Sequence, residues 1–151
     1  MLSPDALIEL GLFGLFLASF LAGSILPFPS EAVLAGLIHA GASSPLTVAV
    51  GTAGNVLGAV TVYAVGMGLG SGLALPRLRK RFGEESLAKA KGQVERWGSW
   101  CLLFSWVPIV GDTLVLGAGL AGLRPWLCLL LVTLGKAARY GFVAWGVVAL
   151  T

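Results

Sequence analysis

The chain has 151 residues, 57% of them hydrophobic and only 11% charged, with a formal net charge of +3. A soluble domain of this length needs about twice that share of charge to cover its surface. The composition therefore excludes an ordinary soluble fold and points to a protein whose solvent is lipid.

No Asp, Glu, Lys or Arg occurs in Leu10–Ser30 or in Ala32–Pro76. Since about 20 apolar residues cross a bilayer as a helix, both runs predict membrane segments. The N-terminus begins with Asp5 and Glu9 rather than a basic leader and its apolar run is long for a signal peptide, so it is expected to stay in the mature protein. Asp5–Leu26 reads as a helix long enough to cross. Pro27-Phe28-Pro29 breaks it, because neither proline donates a helical hydrogen bond. Ser30 then reads as an N-cap, with Glu31 in the first turn near the positive end of the helix dipole. That helix reaches only to about Ala40 before Gly41–Pro45 ends it, which makes it about 17 Å long, half the hydrocarbon core. Either the pair is a re-entrant hairpin with the prolines at its tip, which we prefer, or a full crossing followed by a half-helix.

Leu46–Leu69 predicts a crossing helix dense in small residues. Gly54-x-x-x-Gly58 and Gly66-x-x-x-Gly70 are its candidate packing faces. The composition then changes abruptly: Arg77, Arg79, Lys80, Arg81, Lys89, Lys91 and Arg96 stand against Glu84, Glu85 and Glu95. A helix over Glu84–Trp97, with Glu85 and Lys89 at i,i+4, is expected to lie at the surface. This basic loop is expected to be cytoplasmic by the positive-inside rule and to touch anionic lipid rather than nucleic acid. Beyond it, Ser99–Val107 reads as a short apolar helix and Pro108-Ile109-Val110-Gly111 as its break. Asp112 opens a second piece ending near Gly122–Pro125, and Trp126–Leu150 crosses with Lys136 and Arg139 inside it.

The second half repeats the first. Glu31 and Asp112 are 81 positions apart (112 minus 31), as are Pro27 and Pro108. The same offset aligns Ser24 with Ser105, Gly36 with Gly117, Ala40-Gly41 with Ala121-Gly122, Thr52 with Thr133 and Gly54 with Gly135. If each copy contributes a hairpin and one crossing, the second copy must insert upside down relative to the first. The expected fold is an all-α integral membrane protein, an inverted repeat of a re-entrant hairpin plus a transmembrane helix. It forms a single membrane domain over 1–151, with repeat 1 at 5–70, the basic cytoplasmic loop at 71–96 and repeat 2 at 97–151.

Four ionisable residues fall where lipid would otherwise be: Glu31, Asp112, Lys136 and Arg139. Each such group at mid-helix opposes insertion by about 2.5–3.5 kcal/mol, so the four are expected to face one another or water. Lys136 and Arg139, at i,i+3, share one helix face. One reading is a static ion-pair network that locks the repeats together. In the other, which we favour, Glu31 and Asp112 titrate as proton-linked gates, since burial disfavours a carboxylate and a nearby cation restores it. Lys136 and Arg139 are then the anion-binding residues, with Arg139 able to hold a phosphate by two parallel hydrogen bonds. The helix breaks are assigned to Pro27, Pro29, Pro108 and Gly111. His39 reads as a packed or interfacial histidine, and the tryptophans as interfacial anchors. Cys101 and Cys128 read as buried free thiols. No Ser-His-acid set, HExxH, Walker loop or metal-ligand cluster occurs, so neither an enzyme nor a cofactor is expected.

Pro27-Phe28-Pro29-Ser30-Glu31, Gly54-x-x-x-Gly58 with Tyr63 and Gly66, and Phe104-Ser105-Trp106-Val107-Pro108 resemble the DedA family, the bacterial branch of the VTT-domain (SNARE-associated Golgi protein) membrane proteins. The short length and the Ser-Trp-x-Pro-x-x-Gly-Asp segment are most similar to its small YqaA-like subgroup. The resemblance implies an inner-membrane protein with two opposed re-entrant hairpins. It also implies a role in moving lipids, such as phospholipids or polyprenyl phosphates, in some members linked to protons. Glu31 matches the family's acid after the proline pair. The family's acid after the Gly-x-x-x-Gly stretch is Ala59 here, and its arginines around the second proline are Ser105 and Gly111. Asp112, Lys136 and Arg139 are candidates to replace those charges. The function expected is transport of a lipid with an anionic headgroup across the bacterial inner membrane, with protons as the coupling ion and a homodimer favoured over a lone monomer. The alternative is a non-transporting scaffold or membrane-homeostasis factor acting through the basic loop.

Overall fold

The computed structural model describes residues 4–24, 26, 28–72, 80, 81 and 83–151. Pro27 and much of the loop before Glu84, including Arg77 and Arg79, lie outside the described residues. In chain order the helices are α1 (Pro4–Gly23), α2 (Ser30–His39), α3 (Ser44–Gly70), α4 (Glu84–Trp97), a 3₁₀ helix (Ser99–Trp106), α5 (Val110–Leu120) and α6 (Pro125–Leu150). The expected all-helical membrane character holds among these residues, since α3 and α6 are each long and apolar enough to cross a bilayer. At 1.5 Å per residue they extend about 40 Å, whereas α2 and α5 extend only about 15–17 Å.

The chain divides into two compact units. One comprises Met1–Gly58 with Lys136–Thr151, the other Ala59–Gly135. Each takes half of α3 and half of α6, and each contains one short helix with an acid in its first turn: Glu31 in α2, Asp112 in α5.

In the first unit α1 and α2 fold back on each other. Gly11 of α1 faces Leu37 of α2, and Leu15 shares a buried cluster with Leu34, Tyr140 and Ala144. The Gly54/Gly58 pair lets α3 meet α1 backbone to backbone: a Cβ at Gly54 would run into the carbonyl oxygen of Phe16, and one at Gly58 into that of Phe20. The predicted packing face is therefore real, and its partner is α1.

In the second unit the Gly66/Gly70 pair does the same against α5, at the carbonyl oxygens of Leu116 and Leu120. α5 also packs on α4 and on the 3₁₀ helix. α4 has the predicted bounds and buries Leu87, Ala90 and Val94 while exposing its charged residues, which include the Lys91–Glu95 ion pair at 3.7 Å. The spacing of those three apolar residues gives one stripe, and that stripe meets the protein. The surface helix expected from the charges is thus docked on α5. Cys101 and Cys128 are free, buried and part of this unit's apolar core, as expected.

The breaks before α2 and α5 share a device that the sequence did not reveal. Around Pro29 (φ −79°, ψ 63°) the Ser30 N–H donates to the Phe28 carbonyl at 2.9 Å, an inverse γ-turn. Around Ile109 (φ 68°, ψ −56°) the Val110 N–H donates to the Pro108 carbonyl at 2.7 Å, the rarer, strained γ-turn of opposite hand. Two expected details change. Pro29, not Ser30, occupies the N-cap position of α2, with no side-chain cap bond, so Ser30 opens the helix itself. Gly111, read as part of the second break, is a buried residue in the first turn of α5. A Cβ there would strike the backbone of Ser105, so its role is close packing, and the turn is made by Pro108, Ile109 and Val110.

Candidate functional site

The polar interior of the first unit is built where α2 begins. Proline cannot extend α1 through this point, so the chain turns at Pro29 and presents Ser30 and Glu31 as consecutive residues of a new helix. They meet two consecutive residues of α6. The Ser30 hydroxyl and the Tyr140 hydroxyl lie 2.7 Å apart, with either able to donate. Beside them the Arg139 guanidinium forms an ion pair with the Glu31 carboxylate. One pair is neutral and fully buried, and the other is partly open, with Glu31 and Arg139 exposing 27% and 22% of their side chains. Glu31 also sits in the first turn of α2, where the dipole favours a negative charge.

Deeper in, the side chain of Lys136 is 2% exposed and its ammonium donates to the Asn55 amide oxygen. Asn55, itself 1% exposed, donates from Nδ2 to the Tyr140 hydroxyl at 2.9 Å. The result is a continuous line, Lys136 to Asn55 to Tyr140 to Ser30, running from α6 through α3 and back to α6, then to the tip of α2. A Cβ at Gly51 would come within 3.3 Å of the Tyr140 ring, and one turn on Asn55 reaches Lys136. Within this unit α3 and α6 therefore run antiparallel. A lysine in a low-dielectric interior needs such a partner, because an unpaired ammonium there opposes folding by several kcal/mol, in the range of about 3–5.

Three of the four buried charges read from the sequence thus fall in this region: Glu31 and Arg139 as a direct pair, and Lys136 in the adjoining line. Asp112 belongs to the second unit, partly buried in the first turn of α5. Pro29 and Pro108 lie in the two γ-turns, and Gly111 packs as described above. His39 ends α2 with its side chain exposed, and Trp97, Trp100, Trp106, Trp126 and Trp145 are all exposed large apolar residues.

Sequence reasoning missed Asn55 and Tyr140 as members of the site and assigned Ser30 only a capping role. One signal was present. Asn55 is the residue that the 81-position offset aligns with Lys136, and the two are hydrogen-bonded across a separation of 81.

The match to known proteins follows the same boundaries. The model of the VTT domain matches residues 26–147, from the first break almost to the end of α6. The chain is similar to the inner membrane protein YqaA of Escherichia coli strain K12, at 40% identity over 136 residues, covering 89% of each chain. It is equally similar to the protein of the same name from Shigella flexneri. An uncharacterized protein of Haemophilus influenzae is 30% identical over 138 residues, covering 83% of this chain and 80% of the relative. No solved structure matches. With most of its length matched in this way, the chain belongs to the VTT-domain, or DedA, family of membrane proteins.

Proposed function

We propose that this protein moves a lipid with an anionic headgroup across the bacterial inner membrane, using the Glu31–Arg139 pair as a proton-sensitive latch. The observation that carries the reading is that pair, set at the N-terminus of a half-length helix and partly open while its neighbours are sealed. A guanidinium keeps its charge at any physiological pH, whereas a carboxylate can give its charge up to a proton. Protonation of Glu31 would free Arg139, and a lipid phosphate is the anion whose geometry suits a planar guanidinium best. Lys136 adds positive charge to the same region. Asp112, in the first turn of α5, is assigned the corresponding titrating role in the second unit, with the 71–96 loop on the cytoplasmic side. The inner-membrane location follows the name of the Escherichia coli relative.

Two observations support antiparallel copies with their broken segments entering the membrane as re-entrant hairpins. Asn55 lies near the middle of α3 and Lys136 near the middle of α6, and the offset makes them counterparts. A residue that touches its own counterpart sits on the axis relating the copies, which here would lie at mid-depth in the membrane. The partition of each crossing helix between two units of like parts agrees with this. The copies have diverged in charge: the counterparts of Lys136 and Arg139 are Asn55 and Gly58. One copy therefore carries the cations for both.

The test is lipid transfer in proteoliposomes carrying fluorescent phospholipid, read by quenching of the dye in the outer leaflet. Arg139→Gln should abolish most of the protein-dependent transfer. Glu31→Gln should leave transfer that no longer varies with pH, and Asp112→Asn should change that dependence in its own right. Transfer that is equal in the wild type and in Glu31→Gln with Asp112→Asn removes the role given to the acids. If instead charge reversal at Lys89, Lys91 and Arg96 abolishes function in cells while these variants act normally, the scaffold reading replaces transport.

A further inference from the structure

The line from Lys136 toward Ser30 has a direction as far as Tyr140. An ammonium only donates hydrogen bonds, so Lys136 holds the Asn55 amide with its oxygen inward and its NH2 turned toward Tyr140. The Tyr140 oxygen accepts from that NH2, and the Tyr140 and Ser30 hydroxyls, 2.7 Å apart at the first residue of α2, share a bond in which either can donate. Every member is within 2% of complete burial, so no bulk water competes for these bonds. Flipping the Asn55 amide would set its NH2 against the Lys136 ammonium, which a buried network opposes strongly.

We infer that Asn55 and Tyr140 are positioning residues through which the charge on Lys136 holds the tip of α2 closed against α6. The inference rests on the proposal that the Glu31–Arg139 pair is a latch, and it adds that opening this latch moves the tip of α2 and that a second, inner element holds the tip. The amide of Asn55 passes orientation and not a proton, because a carboxamide neither gains nor loses one in this range. Among the described residues, the charged and titratable groups bonded to the tip or to its line are Glu31 from α2 and Lys136, Arg139 and Tyr140 from α6, and α3 contributes the neutral Asn55.

The test is amide hydrogen exchange of the α2 backbone, followed by mass spectrometry on the intact protein in lipid nanodiscs, which reads opening without any assumption about transport. Lys136→Met keeps the length of the side chain and removes its charge. Tyr140→Phe removes the link to Ser30. Each is expected to speed exchange in α2 about tenfold, and the double variant is expected to be no faster than either alone, because the second change breaks a line already broken. Rates that multiply to about a hundredfold in the double variant, or a Lys136→Met variant with wild-type exchange in α2, overturn the inference. So does an α2 that opens at the same rate in every variant. These results are separable from failure of the transport proposal. Coupled exchange with no lipid transfer would sink transport alone, and transfer with uncoupled exchange would sink only the link.

Discussion

Breaking the Glu31–Arg139 pair from its two sides should have unequal effects. In Glu31→Gln the guanidinium is left without its carboxylate and cannot lose its charge. In Arg139→Gln the carboxylate is left, but it can take a proton. For an ordinary glutamate the work of protonation at pH 7 is about 3.7 kcal/mol, from 1.36 kcal/mol per unit over about 2.7 units, and falls to about 1 kcal/mol at pH 5. That work is a ceiling on what Arg139→Gln can lose. Loss of one partner in a buried pair runs to about 3–5 kcal/mol, and exposed pairs are worth about 0–1. With roughly a quarter of each side chain open, a loss of about 2 kcal/mol at pH 7 is expected for either variant. The sign of the pH effect then separates them. In Arg139→Gln that ceiling itself falls with pH, so its deficit should be no more than about 1 kcal/mol at pH 5. In Glu31→Gln no group remains to titrate, and the lone charge persists. Unfolding midpoints followed by tryptophan fluorescence in detergent micelles at pH 5, 6, 7 and 8 give the comparison. Deficits of the same size and the same pH dependence in both variants would refute the reasoning.

The close approach of α1 and α3 predicts that Gly58→Val loses about 1–3 kcal/mol in the same unfolding measurement, since the new side chain must displace the Phe20 backbone. Gly68→Ala, which meets nothing within 4 Å, should instead gain about 0.5–1 kcal/mol from helix propensity. Ile109→Gly should be stabilising by about 1 kcal/mol: a β-branched residue at φ 68° is strained, and its side chain is 78% exposed, so little packing is lost. A lower unfolding midpoint would show that the turn is not strained. Cys101 and Cys128, both buried, should react with maleimide only after denaturation, and rapid labelling of the folded protein would contradict their placement in the core.

Much of the architecture was legible because lipid imposes simple rules. Long charge-free runs must be helices, prolines must end them, and small residues at four-residue spacing mark where helices can touch. These rules located α3, α4 and α6 closely and named the two glycine pairs, although they left the partners of those pairs open. The boundaries at the breaks were less legible. A γ-turn is three residues closed by one hydrogen bond, and nothing in the local composition distinguishes Pro29 or Ile109 as its centre from the neighbouring residues. The docking of α4 was also hidden, because its charges dominate its composition while only three apolar residues decide which face is buried.

The sequence by itself determined that this is a helical membrane protein whose membrane-embedded charges need partners, because the energetic penalty for charge and unpaired backbone in lipid leaves few alternatives. Only the tertiary structure decided which partners they take. It gave Glu31 to Arg139, and it brought in Asn55, Tyr140 and Ser30 around Lys136. The reason is geometric: an amide and a phenol are unremarkable in an apolar helix until the crossing of α3 and α6 places them within reach of one lysine and one helix tip.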